Sequence, residues 1–134
     1  MNDNAAEIAD LWERALDSLK ASEKLLAEGF PDFAGSRAYY AAFYAATALL
    51  LSDGKVFAKH TGVRACIHRD YVRHGLLDTR MGKIYNSLYN WRTIGDYGVS
   101  KHLTAAEAQE AITDARCFVQ AIEALMPPQV RFHD

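Results

Sequence analysis

Between Arg37 and Asp53 the chain carries no charged residue. The stretch reads "SRAYYAAFYAATALLL", Ser36 to Leu51, with Tyr39, Tyr40, Phe43 and Tyr44 set among alanines. A segment this apolar must be enclosed by lipid or by protein. The uncharged run from Ala38 to Ser52 is fifteen residues long, and crossing a bilayer takes roughly 20. No membrane is therefore expected, and the segment must lie at the centre of a protein core. At 100° per residue, Arg37, Tyr40, Tyr44 and Leu51 share one sector, with Tyr39, Phe43 and Leu50 beside it. Ala38, Ala41, Ala42 and Ala45 form the other side, where a neighbouring backbone can approach closely. A helix apolar all round is central in its bundle.

The remaining sequence supplies helices to surround it. From about residue 5 to 28, Ile8, Leu11, Trp12, Ala15, Leu16 and Leu19 recur at three- and four-residue steps, the spacing of one apolar helix face. Asn4 or Asp3 can cap its start and Gly29 can end it. The helix that contains the uncharged run follows over about 32–52, started by Asp32 after the Phe30-Pro31 turn and ended by "SDGK". Val63, Cys66, Ile67 and Tyr71 fit a short helix over about 60–74. Met81, Ile84, Tyr85 and Leu88 fit another over about 79–92. "TIGDYGVSKH", with two glycines, reads as a loop. "TAAE", Thr104 to Glu107, is a capping box opening a last helix over about 104–126, which Pro127 and Pro128 stop. Nothing alternates like a strand. The reading is all-α: an antiparallel up-and-down bundle of four to five helices in a single domain, residues 1–134.

Net charge is −2, which leaves no global footprint of a strong nucleic-acid binder. The local balance differs. Lys55, Lys59, Arg64, Arg69, Arg73 and Arg80 face only Asp70 and Asp78 between Lys55 and Arg80. Cys66 and Cys117, with no basic or apolar leader in "MNDNAAEIAD", point to free thiols in a reducing cytoplasm. His60, His68, His74, His102 and His133 include no helical pair at four-residue spacing beside an acid. No glycine-rich phosphate loop, GxSxG or HExxH is present. Neither a metal nor a cofactor is expected.

Three groups can carry chemistry. Arg37 with Tyr40 and Tyr44 can hold a phosphate or carboxylate by the fork of guanidinium donors, or it can pair with an internal acid. Arg92 with Asp96 and Tyr97 can do the same, Asp96 closing a salt bridge to Arg92 or Arg37, or Arg92 can simply cap its helix. Lys59 and His60 offer a cation and a group titrating near neutral pH.

In order, "SRAYYAAFYAATALLL", "KHTGV" (Lys59 to Val63), "RTIGDYG" (Arg92 to Gly98) and "DARCFVQAIEAL" (Asp114 to Leu125) resemble the HEPN family, the nucleotide-binding domain of higher eukaryotes and prokaryotes, in its small stand-alone prokaryotic branch. The resemblance implies a helical bundle paired as a homodimer, and a minimal nucleotidyltransferase as partner in a two-component, toxin–antitoxin-like system. It implies nucleotide or RNA as ligand, at Ser36, Arg37, Tyr40, Tyr44, Lys59, His60, Arg92, Asp96 and Tyr97. Many members are metal-independent ribonucleases in which a histidine follows an arginine after four to six residues. Here the positions that would hold it after Arg92 are Tyr97, Gly98 and Val99. Whether the chain is an enzyme is thus open. One reading is a binding or interaction module. Another is an RNA-cleaving toxin using Arg92 as a catalytic residue with His102 or His60. A third is a structural bundle whose polar residues satisfy one another.

Overall fold

The computed structural model describes residues 4–57 and 59–127. Helix α1 spans Ala5–Ala27, α2 Pro31–Ser52, α3 His60–Cys66, α4 Thr79–Tyr97 and α5 Ala105–Leu125. A π-helical turn, Ile67–Val72, continues α3 without a break. No strand occurs among the described residues. The architecture is the all-α up-and-down bundle that the periodicities predict.

α2 is the hub. Ala34, Ala38, Ala41, Ala42, Ala45, Ala46 and Ala48 are wholly buried, as is Tyr39. Small side chains on several faces let α1, α4 and α5 pack against it together. α1 contributes Ile8, Trp12 and Ala15, and also Ser18 and Ser22. The Ser22 hydroxyl is satisfied by the Leu19 carbonyl at 2.7 Å, so burial leaves no orphan donor. Leu16, placed on the apolar stripe by spacing, is 36% exposed; the serines, being smaller, take the closest approach instead. α5 buries Ala108, Ala111, Ile112, Ala115, Phe118, Val119 and Ile122, as its periodicity predicts. Its capping box forms in full: the Glu107 amide donates to Thr104 Oγ1 at 3.1 Å and the Thr104 amide to Glu107 Oε1 at 2.9 Å. Asp3, Pro128 and His133 lie outside the described residues. Among those described, no helix is long and apolar enough to cross a membrane.

One boundary differs from the sequence reading. α4 does not stop at Arg92 but continues to Tyr97, so Asp96 and Tyr97 are helical rather than in a loop. Gly95 is the reason. A Cβ built there would lie 2.4 Å from the Asp32 carbonyl oxygen of α2. The glycine is therefore a packing notch, not a helix breaker, and it holds the last turn of α4 against the first turn of α2. The loop after α4 is seated in the same region. Leu103 fills a matching notch over Gly35, and its amide donates to Asp32 Oδ1 at 2.7 Å.

At a solvent-facing helix position, Gly→Ala stabilises by about 1 kcal/mol. Here the opposite sign is expected: Gly95→Ala should cost about 1–3 kcal/mol, because the new methyl meets backbone that cannot rotate away. Equilibrium denaturant unfolding measures it, and an unchanged or higher midpoint would refute the notch.

Candidate functional site

The notch at Gly95 aligns two side chains across the α2–α4 contact. Ser36, 5% exposed, donates to Asp96 Oδ1 at 2.5 Å. Asp96 Oδ2 lies 3.2 Å from Arg92 Nε, an ion-pair contact whose angle is too poor for an aligned hydrogen bond. The pair runs against local helix preference. An arginine four residues before an acid is the weaker order, and a carboxylate in a final helical turn opposes the dipole. α4 has no basic residue in that turn to compensate. Asp96 is thus placed for Ser36 and Arg92, not for the helix, and such local conflicts concentrate at functional sites.

Arg92 is mostly buried, with 16% of its side chain exposed. Its Nη2 donates to the Tyr40 hydroxyl over a long 3.4 Å. Its guanidinium carbon lies 5.8 Å from the ring centres of Tyr39 and Tyr40, and 5.5 Å from that of Tyr97. Burial works against its charge, but Tyr40, Tyr97 and Asp96 outweigh it and hold its pKa above the ordinary arginine value. A cation enclosed by ring faces is stabilised by their quadrupoles. Tyr97 itself is 66% exposed, so one wall of the site is an aromatic face open to solvent.

His60, at the start of α3, closes the other side. Its ring stacks on Phe43 with centres 4.1 Å apart and planes 8° apart, and it lies 5.7 and 5.8 Å from the rings of Tyr39 and Tyr40. Its Nδ1 is 2.8 Å from the Tyr39 hydroxyl. Burial, then the Arg92 charge, lowers the His60 pKa below 6.5. Burial also pushes the Tyr39 phenol up to about 12. A protonated phenol can donate to Nδ1 of a neutral imidazole, which leaves the ring proton on Nε2.

The sequence candidates therefore divide. Ser36, Tyr40, His60, Arg92, Asp96 and Tyr97 gather around one guanidinium. Arg37 faces α1. Its guanidinium carbon is 4.4 Å from the Tyr40 ring centre, but with Tyr44 it lines a hollow shared with Glu13, Arg14 and Asp17 of α1. Lys59 is exposed beside His60. His102 is bonded elsewhere: its Nδ1 is 2.7 Å from Asp32 Oδ2 and its side chain is 59% exposed. It clasps the α4–α5 loop to α2. Tyr39 and Phe43, which position His60, are legible in sequence only as core aromatics. Their shared i, i+4 face is the available sign. Among the described residues no group of three or more His, Cys, Asp or Glu is placed to hold a metal ion.

A model of the HEPN domain matches residues 8–125. The chain is 36% identical to a UPF0332 protein of Thermotoga maritima over 121 residues, covering 90% of this chain and 92% of that one. It is 34% identical to the Methanocaldococcus jannaschii protein named "Putative toxin MJ0142" over 113 residues, covering 84% and 77%. The crystal structure of TT1696 from Thermus thermophilus superposes with a TM-score of 0.76, over 94% of this chain and all of that one, at 22% identity; the likeness is one of fold.

A histidine whose folded pKa lies below its unfolded value binds fewer protons folded than unfolded. Its contribution to stability is complete above about pH 6.5 and falls as pH drops through that value. Thermal unfolding from about pH 8 down to about pH 5 should therefore show an acid-side loss that His60→Gln reduces. By NMR titration, Arg92→Met should raise the His60 midpoint.

Proposed function

Because the chain belongs to the HEPN family, we propose that it is a nucleotide- or RNA-binding module, one half of a two-component system whose other half is a minimal nucleotidyltransferase, and that it works as a homodimer in the cytoplasm. One observation carries the ligand part. Arg92 is held by Asp96 on one side and enclosed by Tyr40, Tyr97 and His60 on the others. A guanidinium already oriented by an internal carboxylate offers its remaining donors to a phosphate at small entropic cost. Tyr97, largely exposed, offers a face on which a base can stack. Relatives that carry toxin names support the two-component setting.

A second reading is favoured by one specific contact. The histidine absent after Arg92 in sequence has a spatial counterpart in His60, which sits within the electrostatic reach of Arg92 and is held neutral. With the other tautomer, in which Nδ1–H donates to the Tyr39 hydroxyl, Nε2 is free to take a proton from a ribose hydroxyl, and Arg92 can stabilise the charge that develops on phosphate. His102, occupied by Asp32, is less well placed for that role.

The two readings separate on one assay. Structured RNA incubated with purified protein in the presence of a metal chelator should remain intact while binding is retained. Cleavage that disappears in His60→Ala, with folding intact by circular dichroism, would instead establish the ribonuclease. In either case Arg92→Ala should weaken nucleotide binding by at least about tenfold, as loss of a charged donor pair predicts. Unaltered binding together with a large fall in melting temperature would make the network purely structural.

A further inference from the structure

The stripe of α4 that carries Arg92 does not end there. Asn86, Tyr89, Arg92 and Asp96 follow one another at three- and four-residue steps, so they share a face. On α3, His60 and Arg64 are likewise one turn apart. The two stripes meet at a second cation. Arg64 lies with its guanidinium carbon 4.8 Å from the Tyr89 ring centre, and its Nε donates to Asn86 Oδ1 at 2.9 Å.

His68, on the π-helical turn, approaches the same oxygen with Nε2 at 2.9 Å. A carbonyl oxygen only accepts, so His68 carries its proton on Nε2. With both donors on Oδ1, the Asn86 amino group points away from them with its own two donors.

Arg64 differs from Lys55 and Arg69. Lys55 and Arg69 both contact Asp70, which holds that carboxyl far below its ordinary range. Arg64 has no carboxylate partner among the described residues. Its stem is fixed by a neutral amide and a ring, and its charge is uncompensated. Tyr89 in turn stands edge-on to Tyr39, with centres 5.7 Å apart, and Tyr39 borders Arg92. Six residues separate Asn86 from Arg92, about 9 Å of helical rise.

We propose that Arg64, Asn86 and Tyr89 form a second subsite that takes the neighbouring nucleotide of a single-stranded RNA bound at Arg92. Arg64 contacts a backbone phosphate, and Tyr89 offers its ring edge and hydroxyl to the base. The proposal rests on Arg92 being an anion site. Basic side chains that track the backbone beside aromatic side chains that meet the bases are how single strands are bound with little sequence preference. Asn86 is a positioning residue: it aims the guanidinium.

The test uses two probes on the full chain: AMP, and a fluorescein-labelled single-stranded hexaribonucleotide titrated at several salt concentrations. Arg64→Ala and Tyr89→Leu should each weaken the hexamer about tenfold and leave AMP affinity unchanged. For Arg64→Ala the slope of log K against log salt should also fall by about 0.7, one released counterion on a single strand. Arg64→Lys, which keeps the charge and the fold, should keep that slope while losing affinity. Arg92→Ala should weaken both probes.

If Arg92→Ala weakens both while Arg64→Ala and Tyr89→Leu match wild type on the hexamer, the subsite is refuted and the Arg92 site stands. Hexamer binding that depends on Arg64, with AMP unbound, supports the subsite and overturns the Arg92 site as a mononucleotide site. A wild-type protein that binds neither probe at low salt overturns both.

Discussion

Gly95 lets the last turn of α4 lie directly on the first turn of α2, with the Asp32 carbonyl where a side chain would otherwise be. The α2–α4 half of the site follows from that approach. It brings Asp96 within reach of Ser36, sixty residues earlier, and so fixes the carboxylate that orients Arg92. It also places Arg92 over the rings of α2. A bulkier residue at 95 would separate the helices and release all three contacts together. The alanine faces of α2 do the same on a larger scale, because close helix approach depends on small side chains at the crossing.

The charges are arranged unevenly for a chain whose net charge is −2. Asp70 gathers Lys55 and Arg69, and His102 gathers on Asp32. Asp70 thus takes up two of the cations of the basic segment. Arg92 has one carboxylate and several rings, and Arg64 has an amide and a ring. Cations packed on aromatics keep their field, since a ring quadrupole attracts a cation without cancelling its charge. His60 beside them is disfavoured as a cation by burial and by Arg92. The face shared by α3 and α4 therefore carries its positive charge on arginine rather than on His60.

Much of the fold was legible. The charge-free run of α2, the stripes of α4 and α5 and the Thr104 capping box each follow from periodicity or local chemistry, and each stands in the structure. The loop reading of "TIGDYGVSKH" was wrong for its first half because a glycine in one dimension looks the same whether it breaks a helix or admits a neighbour. Arg37, Arg92, Tyr40 and Tyr44 were legible as residue types able to hold an anion, Asp96 as a partner for an arginine, and Ser36 only through the family motif. The grouping of His60 with Arg92, and of Arg37 with α1 instead, was not.

By itself the sequence determined that this chain is a helical bundle with α2 at its centre, since an uncharged run too short for a bilayer has nowhere else to be buried. It also determined the family, through motifs that survive in order along the chain. Only the tertiary structure decided which histidine stands near Arg92, which arginines keep their charge unpaired and which tyrosines face solvent. Those are properties of helix crossings, set by where glycine and alanine let backbones meet, and the spacing of residues along one helix carries no record of which residues lie across from it.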